Sequence, residues 1–171
     1  MNKKYLLYLS PLIFLIAFLI DGQLSTLITN WLPGAMTVSS HILFILSIFY
    51  SVDMTLRGQL IIMTALGALY DIYYLNVLGI GLTILPLMVY LIYYFYQQLK
   101  FNVLSNITIL LVVLFGFEFG SFLLGRLFHL TNLSMYMFVF YNLAPTLLFN
   151  CLTLVALQPF FKKIFGITNK T

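Results

Sequence analysis

Apolar residues fall in long runs along the chain, separated by short polar breaks, and each run is close to the length of a bilayer-crossing helix. Such a helix needs about 20 mostly apolar residues. Six runs fit, over 5–24, 35–52, 59–75, 78–97, 103–124 and 135–161. The second and third are short, with only 53–58 between them. The pattern predicts an all-α fold: a polytopic bundle of six transmembrane helices forming one integral membrane domain over 1–171. Pro86 and Pro145 interrupt the fourth and sixth runs and predict kinks there. Asn142 and Asn150 flank Pro145, where they can satisfy freed backbone groups or bond across helices.

The longest break, Asp21 to Thr37, lies between the first two runs. Within it Leu24, Leu27, Ile28, Trp31 and Leu32 recur at helical spacing, and Pro33-Gly34 then stops any helix. This predicts a short amphipathic helix lying in the outer interface, anchored by Trp31. The plainer alternative is an irregular loop whose apolar residues touch the bundle. The opening Met-Asn-Lys-Lys resembles the start of a signal peptide, but no small-residue cleavage site follows, so the first run reads as a retained span.

Composition and charge add orientation. Hydrophobic residues make up 63% of the chain and charged residues 7%, where a soluble domain carries roughly a quarter charged. So few charges could not cover a soluble surface. The aromatic load of 12 Tyr, 17 Phe and 1 Trp suits bilayer contact and interfacial belts. Cys151 stands alone, so no intrachain disulfide forms. The net charge of +4 comes from basic residues scattered near the ends of apolar runs. That distribution speaks of membrane orientation and against a nucleic-acid footprint. With the N-terminus inside, Lys3, Lys4, Arg57, Lys100, Lys162, Lys163 and Lys170 fall on the cytoplasmic side, and Arg126 alone falls outside. Both termini are therefore expected in the cytoplasm. A five-span chain would place Lys162, Lys163 and Lys170 outside, against the bias.

Ionisable residues inside spans are costly and often functional. Asp71 lies near the outer end of the third run, Glu118 well inside the fifth, and Arg126 two turns beyond Glu118 on the same face. Eight residues of helix separate the last two by about 12 Å, so backbone geometry alone does not join them. They are read as a candidate polar cluster in the outer half, with Arg126 reaching part-way to Glu118 or pairing with Asp71. The plain reading leaves Arg126 and Asp71 solvated among headgroups. Glu118 is deep enough to need a polar partner on another span, or Arg126, or a proton. Gly116 and Gly120 form a Gly-x-x-x-Gly, extended by Ser121 and Gly125, and small residues let helices approach closely. This face and the segment around Trp31 are the candidate partner surfaces. His41 starts the second run beside Ser39 and Ser40, and a lone His there reads as an interfacial or packed residue.

Catalytic fingerprints are missing: no P-loop, no HExxH, no GxSxG and no Rossmann glycine pattern. His41 and His129 have no carboxylate at metal-ligand spacing. With four Asp and Glu in the whole chain, the expectation is a non-enzyme with no metal and no cofactor. One stretch is more specific: Gly67-Ala-Leu-Tyr-Asp71, then Leu78-Gly79. Gly67 permits close packing one turn before Asp71, Asp71 can bond free N–H groups of the turn, and Asn76 and Gly79 supply turn chemistry. This Gly-x-x-x-Asp followed by Leu-Gly, with the chain's length, six runs and short loops, resembles the MreD family of rod shape-determining membrane proteins. The first and last runs share only hydropathy with it.

The resemblance implies a non-catalytic scaffold of bacterial cell-wall elongation in the plasma membrane. It implies association with MreC, a single-span protein, and support of a peptidoglycan polymerase and its transpeptidase partner. The alternative is a substrate-capture subunit of an energy-coupling-factor vitamin transporter, also small and six-span. Those subunits usually carry an Ala-x-x-x-Ala in the first span. Here that region reads Leu12-Ile-Phe-Leu-Ile-Ala17-Phe-Leu-Ile, with a single Ala and no small-x-x-x-small pair. Asp71, Glu118 and Arg126 could still line a vitamin pocket.

Overall fold

The computed structural model of the chain describes residues 3–32, 34, 36–99 and 102–167. Pro33, Lys100 and Lys170, used in the sequence reading, lie outside them. The helices run in the order α1 Lys3–Tyr8, α2 Ser10–Trp31, α3 Ile42–Tyr50, α4 Leu56–Tyr70, α5 Ile80–Gln98, α6 Val103–Leu127, α7 Met135–Phe138 and α8 Ala144–Phe165. A π-helical turn, Asp71–Leu75, extends α4, and a second, Val139–Leu143, joins α7 to α8. Among the described residues four helices are long and apolar enough to cross a membrane: Ser10–Trp31, Ile80–Gln98, Val103–Leu127 and the joined Met135–Phe165.

Two of the six expected spans are not single α-helices of spanning length. The third run is a 15-residue α-helix completed by a π-turn. The second run is half helix only, because α3 has nine residues and the chain before it is extended. The separate interfacial helix is also corrected. Its apolar periodicity is real, but Leu24 to Trp31 belong to α2, which continues unbroken from the first run. Nothing between Asp21 and Trp31 breaks a helix, so the chain keeps its hydrogen-bond ladder until Leu32 turns extended.

The extended stretch before α3 explains much of the fold. Unpaired backbone in an apolar interior costs several kcal/mol per group, so such a segment survives only if protein satisfies it. Successive N–H groups of an extended chain point to opposite sides, and two helices answer them alternately. Thr37 N–H bonds the Tyr141 carbonyl at 2.8 Å, Ser39 N–H the Thr146 hydroxyl at 3.1 Å, and His41 N–H the Asn150 Oδ1 at 2.8 Å, all at the α7–α8 side. Val38 N–H bonds the Thr29 hydroxyl at 3.1 Å and Ser40 N–H the Ser25 hydroxyl at 2.8 Å, both on α2. Asn150 Nδ2 also donates to the Ser39 carbonyl at 2.7 Å. Side chains four apart on each helix, Ser25 and Thr29, Thr146 and Asn150, thus replace the neighbours of a sheet. Pro145 takes part as well. It has no N–H to return to the Tyr141 carbonyl four residues back, and that carbonyl accepts from Thr37.

This strut seats α3 at the centre of the bundle, in contact with α2, α5, α6 and α8. Every residue from Leu43 to Tyr50 is buried. Tyr50 closes the core at the end opposite the strut. Its hydroxyl reaches the Leu6 carbonyl at 3.3 Å, and its ring packs edge-on against Phe165 at 4.9 Å. The described N- and C-terminal ends of the chain therefore meet at one end of the bundle. Above them, Gln59 on α4 is fully buried, donates to the Ser47 carbonyl and accepts from the Tyr93 hydroxyl at 2.9 Å.

The α4–α5 hairpin is closely packed. A Cβ placed on Gly67 would lie 2.5 Å from the Gly81 carbonyl oxygen and 2.9 Å from Leu82 Cα, both backbone atoms of α5. One turn on, the fully buried Asp71 accepts from the N–H groups of Gly79 at 2.7 Å, Gly81 at 2.6 Å and Leu82 at 3.1 Å. It caps α5 from the preceding helix, and its negative charge meets the positive end of the α5 dipole. The reversal between them needs left-handed or related backbone at Asn76, φ 52°, and Gly79, φ 129°.

Candidate functional site

A cavity of about 490 Å³ opens at the end of the bundle away from Leu6 and Phe165. One wall is the face of α2 carrying Phe18, Asp21, Gly22, Ser25, Thr26 and Thr29, spaced three and four apart. The extended strut forms the back, Tyr70 and Tyr74 a second wall, and Phe117, Glu118 and Ser121 of α6 a third. Thr26, Asn30 and Thr37 are exposed and rim the mouth. The polar face of α2 thus looks into a cavity, while Trp31 at its end is 85% exposed.

Two carboxylates lie in the cavity lining, and they are placed differently. Asp21 is buried at the N-terminal end of α3. One oxygen accepts from Ile42 N–H at 2.7 Å and from the Ser40 hydroxyl at 2.7 Å, and the other from Leu43 N–H at 2.9 Å. It serves α3 as Asp71 serves α5. Glu118 meets the His41 ring instead, Oε1 to Nε2 at 2.8 Å. The two side chains are 10% and 12% exposed respectively. The His41 ring is held by edge-on contact with Phe117 at 5.2 Å and a tilted contact with Phe44 at 5.6 Å. The Ser121 hydroxyl and Asn142 Oδ1 are buried in the same lining and have no protein partner.

The structure does not bring Asp71, Glu118 and Arg126 together. Asp71 is occupied by the α5 N-terminus, Glu118 by His41, and Arg126 is exposed, its guanidinium 5.8 Å from the centre of the Phe122 ring. Gly116 and Gly120 face inward. Cβ atoms there would meet Met88 Sδ at 3.1 Å and Ile84 Cδ1 at 3.4 Å, so this stripe packs α6 on α5. Gly125 lies against Thr131. Gly67 and Gly79 serve the α4–α5 turn described above. Sequence reasoning passed over Asp21 and His41 as site residues. Helical spacing from Asp21 to Ser25 and Thr29 was a usable signal for the α2 face. The His41–Glu118 pairing had none, because 77 residues separate the partners.

Chemically the cavity can bind and orient. Among the described residues Ser121 makes no hydrogen bond to His41. Among the described residues no group of three or more His, Cys, Asp and Glu side chains could hold a metal ion.

Comparison with known proteins gives a match over nearly the whole chain. Residues 2–167 match the model of a family described as rod shape-determining protein MreD. The chain is 29% identical over 147 residues to the cell shape-determining protein MreD of Streptococcus pneumoniae (strain ATCC BAA-255 / R6), covering 86% of this chain and 89% of that protein. No solved structure matches.

Proposed function

Because the chain belongs to the MreD family of rod shape-determining membrane proteins, we propose that it is a non-catalytic scaffold of bacterial cell-wall elongation. It sits in the plasma membrane, holds an MreC-like single-span partner, and through it supports the peptidoglycan polymerase and transpeptidase. The observation that carries this reading is the family match over residues 2–167. The polar interior suits it: Asp21, Asp71, Thr146 and Asn150 are engaged in bonding backbone, which gives rigidity.

The proposed topology is six crossings with both termini cytoplasmic. The strut and α3 together make one crossing. Six extended residues at about 3.3 Å each and nine helical ones at about 1.5 Å span roughly 30 Å, the thickness of the hydrocarbon core. The α4 helix with its π-turn makes another. The meeting of Leu6 and Phe165 at Tyr50 agrees with an even number of crossings. The cavity then opens outward. With Gly116 and Gly120 taken up by α5, the partner surface is the outer rim near Trp31, beside which a single-span partner would emerge. One fusion tests this. A tag and reporter at Thr171 should read cytoplasmic, and the protein purified in mild detergent should bring an MreC-like partner with it. An extracytoplasmic reading, or purification without that partner, would count against the proposal.

A further inference from the structure

We infer that the outer cavity is a binding site for an ammonium or guanidinium group carried on a short apolar stem. This goes beyond the scaffold reading and does not depend on it. The N-terminal end of α3 points at the cavity, and a bare helix N-terminus would favour an anion. That end is already occupied by Asp21, whose carboxylate accepts the Ile42 and Leu43 N–H groups. Glu118 adds a second carboxylate to the same lining, faced only by His41 among the described residues. Among the described residues no Lys or Arg lines the cavity. An incoming anion would therefore meet two resident carboxylates set against a single imidazole, His41, which is paired with Glu118, and that balance favours a cation.

The remaining groups point the same way. Ser121 and Asn142 add polar side chains to the lining whose Oγ and Oδ1 have no partner among the described residues, and a donor-rich cation suits such a lining better than an apolar ligand does. Phe18, Tyr70 and Tyr74 supply aromatic surface, which attracts cations through the ring face and packs an apolar stem. Pockets for small ligands run from about 300 to 1,000 Å³, and about 490 Å³ holds such a group with a few waters.

The ammonium could come from a free amine or from a basic side chain of a polypeptide, and the probes separate the two. The full chain is placed in nanodiscs of phosphatidylglycerol, which carries no amine, and titrated by calorimetry. The probes are ethylammonium, N-acetyl-lysine methylamide, its uncharged norleucine analogue and the corresponding glutamate. Saturable binding is expected for one or both ammonium probes, and none for the norleucine or glutamate compounds. Ethylammonium alone sufficing would indicate a free amine; a requirement for the blocked lysine would indicate a polypeptide source. Glu118→Gln should weaken binding about tenfold or more. Ser121→Leu, which breaks no hydrogen bond and fills the cavity, should abolish it, and carries the test if the Gln variant does not fold. Equal binding of lysine and norleucine probes, no binding of any ammonium probe, or unchanged affinity in both variants would overturn the assignment.

Discussion

Asp21→Ala is expected to leave little folded protein in detergent. The change strands the N–H groups of Ile42 and Leu43 and the Ser40 hydroxyl, three donors the carboxylate now accepts. Each buried donor left unpaired costs about 1–3 kcal/mol, so the loss is on the order of 5 kcal/mol. That is comparable to the whole net stability of a typical domain, about 5–15 kcal/mol. The damage should spread, because α3 is the buried centre of the bundle and the strut before it is held by the same α2 face. Asp21→Asn keeps one acceptor oxygen and should fall between Ala and the parent. Melting in detergent with size-exclusion profiles reads the effect. An Ala variant that stays monodisperse and melts within about 2 °C of the parent would show that α3 needs no carboxylate cap.

The second large effect is expected at Gly67. Even Gly67→Ala places a carbon 2.5 Å from the Gly81 carbonyl oxygen and 2.8 Å from the Gly81 carbonyl carbon. These are backbone atoms of a packed helix, so relief requires α4 and α5 to separate. Overpacking costs typically about 1–3 kcal/mol, occasionally more, and separation would also draw Asp71 away from the N–H groups it caps one turn on. Gly67→Leu should be worse still. Gly120→Ala is the matched control: its nearest neighbour is the Ile84 Cδ1 methyl at 3.4 Å, the far end of a flexible side chain. Folded yield should fall sharply for both Gly67 variants and stay near normal for Gly120→Ala. Equal yields across the set would mean that the α4–α5 approach is loose.

Gly67 and Asp71 are also where the sequence was most legible. A glycine one turn before a lone carboxylate, followed by Asn76 and Gly79, carries close approach, cap and turn in one short local stretch. Asn150, beside Pro145, bonds to the extended strut and not to another helix, and Asn142 Oδ1 has no partner among the described residues. The strut was hidden. Hydropathy over 35–52 reports that the segment is apolar, but not whether its backbone is helical or is satisfied by hydroxyls on α2 and α8. Ser39, Ser40 and His41, polar residues opening an apolar run, were the trace it left. Trp31 and its neighbours show the converse case: the helical period was visible, while its continuity with α2 was not, because Asp21 reads as a boundary when it is in fact turned inward to cap α3. Arg126 had two spatial candidates on paper and takes neither, since His41 and the α5 backbone already hold Glu118 and Asp71.

The central claim, that this chain maintains cell shape as a scaffold and carries no chemistry, is tested most directly by measuring cell width and length after depletion in its native bacterium. The account predicts that elongating cells round up or lose controlled width, that the parent chain restores them, and that added nutrients do not. Depleted cells that keep their shape but grow only when a vitamin is supplied would contradict it and favour the transporter-subunit alternative.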